Sequence, residues 1–135
     1  MAKDILVTES LSDSMIQSGM KLIERLDAIN ANIKSSFWFY VSEEKIWKLI
    51  IASPLVDTEG PREYYKKIVE VNLLAEEIEE TISLHDISVT NTSNQIVQLL
   101  KSAINTGKEI AGIRFSKNTI NGMFIEDTYI YRSNL

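Results

Sequence analysis

Cysteine is absent from the 135 residues. That excludes disulfides, thiolate zinc sites and thiol nucleophiles together. It suits a reducing, cytoplasmic setting. Only two prolines and five glycines occur, and the glycines, at 19, 60, 107, 112 and 122, form neither a phosphate-cradling loop nor a dinucleotide fingerprint. There is one histidine, His85, so a zinc site or a Ser-His-Asp triad would rest on a single imidazole, and no GxSxG elbow accompanies it. Beside Asp86 in SLHDIS, at a helix-to-strand junction, it reads as a capping or packing residue.

Long apolar runs are also missing. The densest, such as LIIA at 49–52, are strand-sized, far short of the ~20 apolar residues of a membrane span. The opening MAKDILVTES has no apolar stretch of signal-peptide length. A soluble protein with no membrane partner is expected. Positive charge is scarce too: 14 Lys and Arg face 19 Asp and Glu, giving −5, and the basic residues form no run longer than Lys66–Lys67. Nucleic-acid affinity rests on neutralising phosphates, so nucleic acid is a disfavoured partner.

What is present is the periodicity of one compact domain. The 44% hydrophobic content can furnish a core without staples. After a short extended start at Ile5–Val7, Ser10 and Asp13 are spaced to open a helix carrying Leu11, Met15, Gly19, Leu22, Leu26 and Ile29. SSFWFYV and IWKLIIAS flank the polar SEEK and predict a β-hairpin. Its first strand is aromatic on both faces, Phe37 and Phe39 against Trp38 and Tyr40, and Trp47 adds a further ring. Such a hairpin is either central in a sheet covered on two sides or part of an oligomer interface.

Pro54 ends the second strand, and Pro61 suits the first position of a helix running from Tyr64 to Ile82. DISVT (86–90) is a short strand, and NTSN caps a third helix through Ile96, Leu100 and Ile104, with Gly107 as its stop. A second hairpin closes the chain. The order predicts a single α+β domain with a mostly antiparallel sheet of about five strands and three helices.

The closing hairpin carries the polar residues worth weighing. A turn at Asn121–Gly122 is the stronger signal, and Lys117–Asn118 is the alternative. Either turn puts Ile113, Phe115, Phe124 and Ile130 on one face with Lys117, Glu126 and Arg132. Arg114, Ser116, Met123, Ile125, Asp127, Tyr129 and Tyr131 share the other. Adjacent Glu126 and Asp127 thus point apart and do not make a catalytic pair. The Asn121–Gly122 register makes Arg114 and Asp127 diagonal neighbours and sets Lys117 across from Glu126. Simple ion pairing then accounts for both carboxylates.

Other charged motifs read more simply as surface. Glu43–Glu44–Lys45 spells the acid-x-Lys of metal-dependent nucleases but lies in a turn rather than on a strand. The run Glu76, Glu77, Glu79 and Glu80 reads as a solvated face toward the end of the second helix, with a docking patch for a basic partner as the lesser reading.

The ending GIRFSKNTINGMFIEDTYIYR (112–132), with DISVT and IASPLVDTEGPREYY upstream, resembles a family of small bacterial proteins of unassigned function. These share a G-I-R-F-S…N-G-x-F-I-E-D-x-Y-I-Y-R terminus. The resemblance implies a bacterial or archaeal cytoplasmic protein and no particular activity, cofactor or metal.

Two functional expectations follow. One is a non-catalytic domain that self-associates as a dimer, or meets another protein, through Phe37, Trp38, Phe39, Tyr40 and Trp47. The other is a small-molecule binder or enzyme using Arg114, Ser116, Asp127, Tyr129 and Tyr131, with Arg holding an anionic group and Asp orienting or deprotonating it. Neither reading calls for a metal or cofactor. A nucleic-acid-processing role is the weakest alternative.

Overall fold

The computed structural model describes residues 10–75 and 80–135. The expected extended start at 5–7 and most of the acidic run (76, 77 and 79) fall outside them.

Helix α1 (Asp13–Ala28) begins two residues later than the Ser10 reading implied, because Ser12 is its cap and accepts from the Met15 amide at 3.1 Å. The aromatic hairpin forms as β1 (Ser35–Val41) and β2 (Ile46–Ala52), paired from Ser35↔Ala52 to Val41↔Ile46. A short helix α2 (Leu55–Glu59) precedes α3 (Pro61–Asn72), where Pro61 takes the first turn as expected. The apolar period had carried α3 on to Ile82, but the helix stops at Asn72, and Ile82 is buried beyond it. Tertiary burial and helical period coincide at that residue without being the same thing.

A 3-10 turn (Leu84–Asp86) leads to β3 (Ile87–Thr90), which lies parallel to β2 across the α2–α3 crossover. Helix α4 (Gln95–Ala103) is capped by Asn94, whose side chain accepts from the amides of Ile96 and Val97. Strands β4 (Ile113–Ile120) and β5 (Met123–Ser133) form the last hairpin. Their turn is Asn121–Gly122, both at positive φ (48° and 82°), as a tight two-residue hairpin turn requires.

The architecture is α+β: five strands in the order β3-β2-β1-β5-β4, antiparallel except for β2–β3. Among the described residues, no helix is long and apolar enough to cross a membrane. The sheet is covered on both sides. Trp38, Trp47, Leu49, Ile51 and Tyr131 pack with Leu22, Ile23 and Leu26 of α1 and Tyr64, Ile68 and Val71 of α3. On the reverse, Phe37, Ala52, Ile120, Ile125 and Ile130 pack with Val97 and Leu100 of α4. Two-sided cover explains why β1 is apolar at every position from Phe37 to Val41.

One joint fastens α1 to this sheet. Pairing of β5 with β1 slips by one residue between Ser36 and Phe37, leaving Tyr131 as an extra residue in β5. The buried Tyr131 hydroxyl accepts from Trp38 Nε1 at 3.0 Å and donates to the Ile16 carbonyl at 2.6 Å. Burial pushes its pKa well above the ordinary phenol range, and Tyr64, whose hydroxyl donates to the Ala31 carbonyl, behaves alike. Both stabilise the fold while protonated, so that contribution is full below the unfolded phenol pKa of ~10 and is lost as pH rises toward the folded values. In an ultraviolet titration of the five tyrosines, the last two are therefore expected to ionise only with unfolding. Five independent titrations near pH 10 would contradict this.

Gly19 sits against the same hydroxyl, where a Cβ would come within 2.9 Å of Tyr131 Cζ and closer still to its oxygen. Alanine gains about 1 kcal/mol of helix propensity over glycine. Overpacking a side chain pinned by two hydrogen bonds costs about 1–3 kcal/mol and outweighs it. Gly19→Ala is thus expected to lower the melting temperature, and less so in a Tyr131→Phe background. A stabilised Gly19→Ala would show that the joint is loose.

Candidate functional site

The closing hairpin takes the expected Asn121–Gly122 register, with Ser116 opposite Asp127 and Arg114 opposite Tyr129. Arg114 and Asp127 meet as diagonal neighbours in a bidentate ion pair, Nε to Oδ1 and Nη2 to Oδ2, both 2.6 Å. The guanidinium also lies 5.5 Å from the centroid of the Trp47 ring. These hydrogen bonds from Arg114 to Asp127 hold its pKa above the ordinary arginine value, with burial opposing. Asp127 thus has both oxygens engaged, and the cation expected to grip a ligand already holds an acid of its own chain.

Strict alternation along the hairpin fails at its outer half. Lys117 adopts φ 49°, so the Lys117/Glu126 pair drops out of the ladder and no ion pair forms there. Beyond this kink the faces exchange. Ile125 and Ile120, expected among polar neighbours or unassigned, are buried in the α4-side core, while Phe124, expected in the core, is 57% exposed. The Tyr131 bulge produces a second exchange. Arg132, expected on the same face as Ile130, instead joins Tyr131 against α1 and donates to Asp27 Oδ1 and Oδ2 at 2.9 and 2.8 Å. Left-handed φ and extra strand residues shift the pleat, and neither announces itself at a lysine or tyrosine in sequence.

The other expected residues divide by burial. Phe37 and Trp38 are within 1% of full burial in the chain's own core, and Trp47 is also buried. Their proposed interface role is corrected: they have no surface to offer. Phe39 and Tyr40 remain half-buried at the strand end. Tyr131 is committed to α1, so the ligand platform shrinks to Arg114, exposed Ser116, Asp127 and half-buried Tyr129. His85 is exposed on the 3-10 turn. Among the described residues, no group of three or more His, Asp or Glu is placed to hold a metal ion.

Two surfaces went unnoticed in the sequence. The first is the outward side of α3, opposite the buried Tyr64, Ile68 and Val71. Arg62, Lys66, Val69 and Leu73 line it at helical spacing, Val69 being 43% and Leu73 80% exposed. A shallow groove of about 390 Å³ runs there between Arg62, Tyr65, Lys66, Val69 and Glu70. The second is a cleft of about 380 Å³ lined by Asp27, Asn32, Ile33, Lys34, Lys108, Arg132 and Asn134.

Compared with known proteins, the chain matches no family model, no curated protein and no solved structure.

The two arginine–carboxylate pairs differ in setting, and stability should report it. Arg114 is nearly half exposed, whereas Arg132 is 6% exposed. Leaving a buried charge unpaired costs about 3–5 kcal/mol, against about 1 kcal/mol or less for an exposed pair. By chemical denaturation, Asp27→Ala is expected to destabilise several-fold more than Asp127→Ala. Equal effects would refute the assignment.

Proposed function

We propose that this chain is a non-catalytic interaction domain that self-associates, in a reducing cytoplasmic setting consistent with its lack of cysteine. The observation that carries the reading is the outward face of α3. Val69 and Leu73 lie open toward its C-terminal end with Glu70 beside them, and the cations Arg62 and Lys66, the latter paired with Glu63 at 3.1 Å, lie in its N-terminal half.

A second copy of the chain fits this face. Two α3 helices antiparallel about a two-fold axis set the basic half of each beside the apolar, acidic half of the other. The aliphatic stems of Arg62 and Lys66 then cover Leu73 and Val69 of the second copy, and their charged ends reach Glu70. Opposed helix dipoles add to the match. The surface thus moves from the aromatic hairpin, whose rings the core consumes, to a helix whose inner face is already satisfied.

The closed Arg114–Asp127 pair supports a non-catalytic role. Both oxygens of its carboxylate already accept from Arg114, so a substrate proton would have to compete with a bidentate ion pair.

Helix α3 is only roughly 18 Å long at 1.5 Å per residue. A stable dimer buries about 800 Å² per partner, more than one such helix supplies. Association is therefore weak, with a dissociation constant on the order of 100 µM. Sedimentation equilibrium should show a reversible monomer–dimer exchange, weakened at least tenfold by Val69→Glu with Leu73→Glu, both exposed and harmless to the fold. A strict monomer at several hundred micromolar wild-type protein would defeat the proposal.

A further inference from the structure

The cleft between the end of α1 and the end of β5 concentrates positive charge on a protein whose net charge is −5. Its walls carry Lys34, Lys108 and Arg132 against a single carboxylate, Asp27. Both Asp27 oxygens accept from Arg132, and among the described residues no acid pairs with either lysine. Neither ammonium has a hydrogen bond or ion pair among the described residues. The Arg132 Nε is buried and has no acceptor, so even the innermost cation is incompletely satisfied.

The cleft is held in shape by the backbone. Lys34 N–H donates to the Ala52 carbonyl at 2.9 Å, and the Asn134 amide donates to the Lys34 carbonyl at 2.8 Å, locking the first residues of β1 to the end of β5. The loop bearing Lys108 is pinned on both sides, by Thr106 N–H to the Ser133 carbonyl and Ala111 N–H to the Tyr131 carbonyl. Asn32, at φ 53°, and Asn134 add amide groups to the lining. Charge, donors and room converge at one place on a rigid frame.

We propose that this cleft is an anion-binding site for a phosphate group, free or as the ester of a small molecule. Lys34 and Lys108 neutralise the dianion from either side, the asparagine amides donate to its remaining oxygens, and the buried Arg132–Asp27 pair forms a positively biased floor. A volume of about 380 Å³ exceeds what phosphate alone fills and leaves space for a small organic group. The cleft shares no lining residue with the outward face of α3, so its occupancy and the self-association are tested by different variants.

The test is a calorimetric and NMR titration of the wild-type chain with inorganic phosphate and with glycerol phosphate at low ionic strength. Saturable binding is expected, with amide shifts confined to residues 32–34, 106–111 and 132–134, and weakening as salt is added. Lys34→Gln with Lys108→Gln, at a half-buried and an exposed position, should reduce affinity at least tenfold, whereas Lys101→Gln on α4 leaves it unchanged. Tighter binding of the ester than of phosphate identifies an organic ligand, and equal binding identifies the bare anion. No saturable shifts at millimolar phosphate, or equal binding by the double variant and the wild type, overturns the assignment.

Discussion

Most of this molecule depends on the hydroxyl of Tyr131. It joins the sheet, through Trp38, to α1, through the Ile16 carbonyl. It exists in that position because β5 carries an extra residue where it pairs with β1. The same irregularity lets Arg132, the next residue, reach α1 as well and hold Asp27. Two successive side chains of a regular strand would point to opposite faces. Here both secure one helix, and Gly19 lets that helix come close enough to be secured.

The remaining features are consequences of where the sheet is covered. With α1 and α3 on one side and α4 on the other, β1 spends its aromatic residues on the interior. The surface left for contact is then set by helix faces and strand ends. Outward α3 is apolar and cationic, and the cleft beside Arg132 is cationic where β1 starts and β5 ends.

What the sequence could reveal follows the range of each physical signal. Local ones read well: the aromatic strands around SEEK, the Asn94 cap, Pro61 at a helix start, and Asn121–Gly122 with the register it imposes. That register carried the Arg114–Asp127 pair with it, since diagonal neighbours follow from the turn alone. Features set by distant partners did not read. Lys117 at φ 49° and the extra residue at Tyr131 each exchange strand faces, which misassigned Phe124, Ile125 and Arg132. The Arg132–Asp27 pair joins residues far apart in sequence, so no spacing rule reaches it. Phe37 and Trp38 were legible as apolar on both faces, but not as interior rather than interface, because cover by α4 on one side and by α1 on the other is a tertiary fact.

The self-association account is tested most directly by proximity across the dimer, and the absence of native cysteine makes that measurement clean. Antiparallel α3 helices bring the two Val69 positions to roughly 10 Å of each other, given interaxial distances of ~8–10 Å. A Val69→Cys chain treated with a short bis-maleimide at high micromolar concentration should give a covalent dimer, and a Lys101→Cys chain on the opposite side of the sheet should not. Equal yields from the two positions, or none from Val69→Cys, would contradict the account.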